Sequence, residues 1–350
     1  MNYTRVYVDA IGYELPPVVV TSAELEARLR PMYQALRIPE GQLEALTGIA
    51  ERRWWEAGYS LTHGAVQAAR KALDTTGLEA AKIDALIYAG VCREQFEPAT
   101  ACHVAAGLCI SPDAAVYDIS NACLGVLNGM LDIANRIELG QIKAGLVVSC
   151  ETAREINDIM IERMLAEPNM ELFKTSLATL TGGSGAVAVL LTDGSFGTER
   201  RRRLVGGVTQ TAPEHYRLCR WGIEALVSPA LRQFTQFMST DSVSVLKHGV
   251  ALGVRTWSAF LSKLGWVKGQ VDKVICHQVG SGHRDTILQM LGLSEDQDFS
   301  TYGYLGNIGT VSLPLTAALA EERDFLQPGD RVGFLGIGSG LNCLMLGLEW

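Results

Sequence analysis

A unit of helix, loop and strand occurs twice in this chain of 350 residues, at a constant offset. The segment around Leu73 reads LDTTGLEAAKIDALIYAG, and the segment around Leu261 reads LSKLGWVKGQVDKVICHQ. Each copy ends a helix at a glycine, crosses a short polar loop and enters an apolar strand. Two such units can also resemble each other by chance. A true repeat restricts the chain to two similar halves that pack against each other.

The repeat predicts an N-terminal half over residues 1–195 and a C-terminal half over residues 196–350. Helical periodicity alternates with short Val, Ile and Leu runs in both halves, which favours a layered α/β architecture over a helical bundle. Residues 151–180 interrupt the first copy and are rich in Glu, Met, Leu and Ala. This composition favours inserted helices, and such insertions often cover a binding cavity.

The composition narrows the functional classes. A net charge of -8 argues against nucleic acid as a partner, because phosphate contacts need clustered Lys and Arg. None of the eight cysteines forms a C-x-x-C pair, so neither a zinc site nor a dithiol redox site is expected. No leader-like N-terminus or membrane-length apolar run is present in the sequence. We therefore expect a cytoplasmic protein without a membrane span.

Cys123 lies where a strand is predicted to give way to a helix. Residues 115–119 (AVYDI) are typical of a buried strand, and apolar residues recur at three- and four-residue steps from Leu124 to Ile137. Free backbone N–H groups at a helix N-terminus stabilise a thiolate and lower its pKa. The same groups can hold the oxyanion of an acyl intermediate. Position alone leaves open the alternative of a small core cysteine.

Two polar residues of the C-terminal half follow strand-like or glycine-rich segments. His277 ends the strand-like run KVICH and precedes the turn GSGH, and Asn307 lies in YGYLGNIGT. Each has a structural alternative, namely a hydrogen-bonded histidine and a turn-forming asparagine. Residues 333–342 (GFLGIGSGLN) predict a strand that enters a glycine-rich turn where a ligand can approach the backbone closely.

Taken in chain order, the motifs N-A-C-L-G, I-C-H-Q, G-N-I-G and G-I-G-S-G-L-N resemble those of the thiolase superfamily, in its ketoacyl synthase III branch. The resemblance covers essentially the whole chain. It is strongest to the OleA-type enzymes, which condense two fatty acyl-CoAs head to head in bacterial olefin biosynthesis, on the segments EPAT at Glu97 and LGIGSGLNC at Leu335. It implies an α/β thiolase fold, a duplicated five-layered αβαβα arrangement with helical insertions over the active site.

The resemblance also implies roles for individual residues. Cys123 would be the acylated nucleophile, and His277 and Asn307 would donate hydrogen bonds to the carbonyl oxygen of the second thioester. Backbone N–H groups of Cys123 and Ser339 would form the oxyanion hole, with Gly340 beside them. CoA thioesters are the implied substrates. No metal or cofactor is implied, because this chemistry needs only a thiol, a base and hydrogen-bond donors.

Glu97 distinguishes two chemistries within the resemblance. A synthase that decarboxylates a malonyl unit needs no carboxylate base, whereas condensing two acyl-CoAs requires removal of an α-proton. In the OleA-type enzymes such a glutamate reaches across the dimer interface into the neighbouring site, so a homodimer is implied. Glu94 is the fallback candidate. The structural alternative is a surface glutamate in a polar loop.

The resemblance therefore implies non-decarboxylative Claisen condensation of two fatty acyl-CoAs to a 2-alkyl-3-oxo acid, catalysed by an acyltransferase. The main alternative is a malonyl-dependent 3-oxoacyl-[acyl-carrier-protein] synthase III. A non-catalytic thiolase-fold partner and a cysteine hydrolase are further alternatives. Arg52 and Arg53 fit either a structural role or contacts with CoA phosphates, and the sequence supports no adenine contact.

Overall fold

The computed structural model describes residues 1–197, 202–227 and 232–350. The strands are β1 (Tyr7–Glu14), β2 (Val18–Thr21), β3 (Glu51–Trp54), β4 (Ala85–Ala89), β5 (Ala115–Ile119), β6 (Ala144–Glu151), β7 (Gly185–Thr192), β8 (Arg202–Thr211), β9 (Cys219–Val227), β10 (Arg232–Thr240), β11 (Lys273–Cys276), β12 (Arg331–Gly338) and β13 (Asn342–Glu349). The α-helices are α1 (Ser22–Arg28), α2 (Arg30–Leu36), α3 (Gln42–Thr47), α4 (Leu61–Thr76), α5 (Thr100–Leu108), α6 (Gly125–Glu138), α7 (Arg154–Ala166), α8 (Met170–Leu180), α9 (Ser242–Leu264), α10 (Ser281–Leu291), α11 (Tyr302–Leu305) and α12 (Ser312–Glu322).

Nine strands form one sheet in the order β11-β12-β13-β8-β1-β7-β6-β4-β5. The strand pairings on the first side of this sheet, from β4 to β1, repeat on the second side, from β11 to β8. β4 pairs in parallel with β6 as β11 does with β12, and antiparallel pairs follow along both series. β4 and β11 carry the matched residues Ile87 and Ile275, so the sequence repeat corresponds to a structural repeat. On the first side β5 pairs with β4 in parallel. Its counterpart on the second side, among the described residues, is a single bridge between Val274 of β11 and Asp298.

Helices lie between the two sides of the sheet and on both of its outer faces, which gives five layers. α6 and α12 contribute to the central apolar cluster, which joins them to strands from both sides of the repeat. α4 and α5 pack on the outer face of the first side, and α9 and α10 cover the outer face of the second. This is the αβαβα arrangement of the thiolase fold. The sheet runs continuously where Tyr7 of β1 pairs with Arg203 of β8, and the boundary between halves near residue 195 remains a prediction.

Two insertions lie beside the repeated core. Residues 151–180 contain α7 and α8, in the stretch where the composition favoured inserted helices. The second insertion, the β9–β10 hairpin, was not predicted from the sequence, and it contacts both of these helices. An ion pair of 2.6 Å between Arg163 of α7 and Glu224 of β9 joins the two insertions.

Among the helices described here, none is both long enough and apolar enough to cross a membrane. Over the same described ranges, no group of three or more His, Cys, Asp or Glu side chains is arranged to hold a metal ion. Arg52 is fully buried and donates to Ser22 Oγ at 3.0 Å, while Arg53 donates to the Pro16 carbonyl at 3.2 Å. These contacts favour the structural interpretation of both arginines.

Candidate active site

Cys123 lies in a tight turn between the end of β5 and the start of α6. Ala122 before it has a φ of 45°, in the left-handed region that non-glycine residues rarely adopt. The Leu124 N–H donates to the Asn121 carbonyl at 2.9 Å, and the Val126 N–H donates to Thr310 Oγ1 at 2.7 Å. The turn thus places the cysteine at a strand–helix junction, as predicted, and ties it to the loop before α12.

Three asparagines hold this turn against the glycine-rich segment of the other side. Asn121 Oδ1 accepts from Asn342 Nδ2 at 3.0 Å, and Asn121 Nδ2 donates to Asn128 Oδ1 at 2.8 Å. The bond to Asn342 joins the Cys123 turn to the turn that contains Ser339. The sequence analysis missed these contacts, because the partners are far apart in the chain.

One cavity of about 690 Å³ brings together Cys123, His277, Asn307 and Ser339. Gly340 does not line it. A Cβ at Gly340 would lie 2.6 Å from Asn342 Nδ2, so this glycine shapes the turn rather than contacting the cavity. The structure therefore gathers four of the six predicted site residues, and Glu97 and Gly340 lie outside the cavity of their own chain.

The cavity wall is mainly apolar, as an alkyl-binding site requires. The two insertions contribute Ile156, Ala178, Trp221, Ile223, Phe237 and Met238 to this wall, and other apolar residues, among them Val245, Val279, Ile308, Ile337 and Leu341, come from the rest of the fold. Polar groups in the wall include His277, His283, Asn307, Ser339 and Glu151, together with Arg220 of the hairpin. The hairpin residues in this wall were not identified from the sequence.

His277 follows β11 and is almost completely buried, and its backbone N–H donates to the Leu335 carbonyl at 3.0 Å. Burial lowers the pKa of His277 to about 3, with a smaller contribution from His283. The imidazole is therefore neutral at physiological pH. A neutral imidazole has one N–H donor and one lone pair, so it can donate a hydrogen bond or accept a proton.

Asn307 is held so that its amide nitrogen is available as a donor. Its Oδ1 accepts from the Gly309 N–H at 3.0 Å, while its backbone bonds Thr181 and Gly183 at 2.9 Å. A Cβ at Gly183 would lie 2.0 Å from the Leu305 carbonyl oxygen, so only glycine fits this close approach. Asn307 therefore lies in a turn, as the structural alternative predicts, and its amide nitrogen can still donate a hydrogen bond, as the catalytic role requires.

The prediction that the helix N-terminus lowers the pKa of Cys123 was wrong in direction. The pKa of the Cys123 thiol is raised to about 12, mainly by burial and to a smaller extent by Cys219 and Glu151, against a smaller opposing hydrogen bond from its own backbone N–H. The resting group is therefore a thiol. Because a thiol is a weak nucleophile, the attack requires a proton acceptor, and neutral His277 lines the same cavity.

The two carboxylates of the loop between β4 and α5 lie outside the cavity. Glu94, the fallback candidate, accepts from the Thr62 N–H at 2.9 Å and from its hydroxyl at 3.2 Å, in the first turn of α4. Glu97 is exposed, and its neighbour Phe96 is 88% exposed. The carboxyl group that does line the cavity is Glu151, at the end of β6. The sequence analysis missed it, although an acidic residue ending a buried strand was a usable signal.

A second histidine, His283, lines the cavity near His277. Its Nδ1 is buried without a hydrogen-bond partner among the described residues, and burial lowers the pKa of His283 to about 4. Unfolding returns both rings to a pKa near 6.5. The unfolded chain therefore binds more protons, and the stability contributed by neutral burial is complete above pH 6.5 and is lost as the pH falls towards 4.

We expect the thermal unfolding midpoint to fall more steeply between pH 6.5 and 4.5 in the wild type than in His283→Gln. Each buried neutral histidine steepens the dependence by about 1.4 kcal/mol per pH unit, and the variant lacks one of them. Calorimetry across this range checks the result. His63→Gln, exposed on α4, is the matched control and keeps the wild-type slope. Equal slopes for wild type and His283→Gln contradict this account of His283.

Residues 261–350 match the family model for the C-terminal region of 3-oxoacyl-[acyl-carrier-protein] synthase III. The whole chain is 58% identical to acyl-CoA:acyl-CoA alkyltransferase of Shewanella oneidensis, with 100% of each chain covered. The chain belongs to the acyl-CoA:acyl-CoA alkyltransferase family. The alkyltransferase of Xanthomonas campestris is 34% identical, again over 100% of each chain.

Solved alkyltransferase structures agree with this assignment. A crystal structure of a cysteine variant of Xanthomonas campestris OleA matches with a TM-score of 0.92 at 34% identity, covering 100% of this chain and 98% of that one. Another OleA structure, with bound lauric acid and lauroyl-CoA, matches with the same TM-score and covers 99% of this chain. Beta-ketoacyl-[acyl-carrier-protein] synthase III of Dinoroseobacter shibae is more distant, at 27% identity. The family and the thiolase fold predicted from the motifs are confirmed, and the chain is an acyltransferase.

Proposed function

We propose that this member of the alkyltransferase family condenses two fatty acyl-CoAs head to head, without decarboxylation, to a 2-alkyl-3-oxo acid. The observation that carries the proposal is the convergence of Cys123, His277 and Asn307, from the two sides of the repeat, on one mainly apolar cavity. The names of the relatives support acyl-CoA as the substrate, as does the OleA structure with lauroyl-CoA bound.

In the first half-reaction, the Cys123 sulfur attacks the thioester carbonyl of the first acyl-CoA. The thiol proton passes to His277, which is neutral and lines the same cavity. Backbone N–H groups at Cys123 and Ser339 stabilise the oxyanion. The tetrahedral intermediate then expels CoA thiolate, which takes the proton from His277, and the acyl group remains on sulfur.

In the second half-reaction, Glu97 of the neighbouring subunit removes an α-proton from the second acyl-CoA. His277 and the Asn307 amide donate hydrogen bonds to its carbonyl oxygen and stabilise the enolate. The α-carbon attacks the acyl carbonyl on Cys123, a carbon–carbon bond forms, and the cysteine leaves as thiolate and regains the proton from Glu97. Water then hydrolyses the remaining thioester to release CoA and the β-keto acid.

We also propose an assembly, a compartment and a pathway for this enzyme. The enzyme is a homodimer, because Glu97 lies outside the cavity of its own chain and is exposed on a loop that a second subunit can contact. It acts in the cytoplasm, in olefin biosynthesis. The proposed steps use side chains, backbone N–H groups and water, and they require no metal or redox cofactor.

The second candidate is malonyl-dependent synthase III activity, which the C-terminal family model and the 27% identical synthases favour. Incubation of the protein with one long-chain acyl-CoA and no malonyl donor separates the two. We expect free CoA together with the β-keto acid, or the ketone formed when it loses CO₂, by mass spectrometry. Product that forms only after malonyl-CoA or malonyl carrier protein is added supports the alternative and contradicts the proposal.

A further inference from the structure

Glu151 is the last residue of β6, and its side chain lies in the wall of the cavity that contains Cys123. It is only 4% exposed. One carboxylate oxygen accepts from the Val91 N–H at 2.8 Å, and the other accepts from the Cys92 N–H at 3.1 Å. Both oxygens therefore hold consecutive peptide groups at the start of the loop between β4 and α5.

Further contacts beside the Glu151 carboxylate join the end of β6 to the start of this loop. The Tyr88 hydroxyl lies 2.8 Å from the carbonyl oxygens of both Cys92 and Cys150, which adds a second link between β6 and the loop. A Cβ on Gly90 would lie 3.2 Å from Glu151 Oε1, so the backbone approaches the carboxylate where a side chain would crowd it. The start of the loop is thus fixed to the end of β6.

The far end of the loop is fixed separately. Asp118 of β5 accepts from the Thr100 and Ala101 N–H groups at 3.0 and 2.8 Å, and from Arg93 at 2.8 Å. Between these two attachments the Glu94 carboxylate also accepts from Thr62 of α4, and the loop then exposes Phe96 and Glu97. The orientation of Glu97 therefore depends on these attachments together, and Glu151 provides the one that lies in the active-site wall.

A role for Glu151 as the base of its own cavity is less consistent with these contacts. Burial raises the pKa of the Glu151 carboxyl, while the Cys92 thiol and the two peptide N–H groups lower it. A base must also turn a lone pair towards the substrate proton. Both oxygens of Glu151 are already directed at peptide N–H groups, which suits holding a loop better than receiving a proton from substrate.

We propose that Glu151 is a positioning residue. It lies in the wall of the active site of its own chain and fixes the loop between β4 and α5, and this loop delivers Glu97 to the active site of the partner subunit. This inference rests on the proposed function, in which Glu97 is the base and acts across a dimer. Each active site thereby contains the residue that positions the base of the other site.

The first test compares the two half-reactions in Glu151→Gln. Glutamine keeps the size of the side chain but turns an NH₂ group towards one of the peptide N–H donors, so one hydrogen bond is lost. Removing the Glu151 charge also removes a contribution that raises the pKa of the Cys123 thiol, so we expect acylation of Cys123 not to be slowed. We expect condensation to fall about tenfold or more. Glu155→Gln is the matched control, because Glu155 bonds Thr152 and not the loop. Equal losses in both half-reactions contradict a positioning role.

The decisive test uses heterodimers of differently tagged chains, in which one chain carries Cys123→Ala so that a single active site remains. The reference pairs this chain with a wild-type chain. In the first heterodimer, Glu151→Gln is placed in the chain that keeps Cys123. In the second, Glu151→Gln is added to the chain that carries Cys123→Ala, which is the chain that supplies the loop to the remaining site.

We expect the first heterodimer to condense a single long-chain acyl-CoA at the reference rate or somewhat faster, and the second to be about tenfold slower or worse. The reverse pattern places Glu151 in the chemistry of its own cavity and overturns the inference. Equal rates, or equal losses, in the two heterodimers also overturn it. A reference heterodimer that forms no β-keto acid contradicts the proposed function itself, and the inference falls with it.

Discussion

Cys123→Ala is expected to take up no acyl group from acyl-CoA and to make no condensed product. Both half-reactions pass through sulfur, so the loss is expected to be about 10⁴-fold or greater, as for other covalent nucleophiles. Intact-protein mass spectrometry after incubation with a long-chain acyl-CoA measures the first effect, and product analysis measures the second. The wild type is expected to gain one acyl group per chain.

Cys219→Ala is the matched control, because Cys219 lines the same cavity from the β9–β10 hairpin. We expect this variant to acquire one acyl group, as the wild type does. An acyl adduct on Cys123→Ala that disappears from Cys219→Ala would assign the nucleophile to the hairpin instead. The control matters because two thiols contribute to one cavity wall.

Glu97→Ala is expected to acylate normally and to lose condensation by about 10²- to 10⁴-fold, the usual contribution of a general base. The acyl-enzyme should accumulate, because its formation requires no carboxylate base from this loop. Two assays on one preparation measure this: acyl occupancy by intact mass, and β-keto acid formation from acyl-CoA.

Glu94→Ala, three residues earlier in the same loop, is the matched control. Its carboxylate bonds Thr62 on α4, so we expect at most a modest loss of condensation. If Glu94→Ala abolishes condensation and Glu97→Ala does not, the base has been assigned to the wrong residue. Full condensation by both variants removes this loop from the proton-transfer step.

The parts of the fold with local signals could be predicted from the sequence. The strand at 115–119 and the amphipathic helix that follows it place Cys123 at a junction, because periodicity over a few turns determines both elements. The repeat around Leu73 and Leu261 predicted the layered architecture, since each copy contains the same helix, glycine stop and buried strand. Position alone did not decide the roles of His277 and Asn307, and the resemblance supplied them.

The features that depend on contacts between distant parts of the chain could not be predicted from the sequence. The raised pKa of Cys123 results mainly from desolvation in the folded chain, which no local motif records, whereas the helix N-terminus was visible in the sequence and pointed the other way. The first strand of the β9–β10 hairpin does carry a local signal, because Cys219, Trp221 and Ile223 alternate with Arg220, Gly222 and Glu224. Its place in the cavity wall, however, depends on contacts with α7 and α8. Glu151 acquires its role only through Val91 and Cys92, about 60 residues earlier in the chain.

The most direct test of the central claim is a single-turnover transfer from Cys123. The enzyme is first acylated with a uniformly ¹³C-labelled long-chain acyl-CoA supplied at less than one equivalent per chain, and it is then mixed at once with an excess of unlabelled acyl-CoA. We expect a β-keto acid in which the C3 carbonyl carbon and the chain attached to it carry the label, while C1, C2 and the 2-alkyl chain do not. Labelled free fatty acid without condensed product, or condensed product without label, would contradict it.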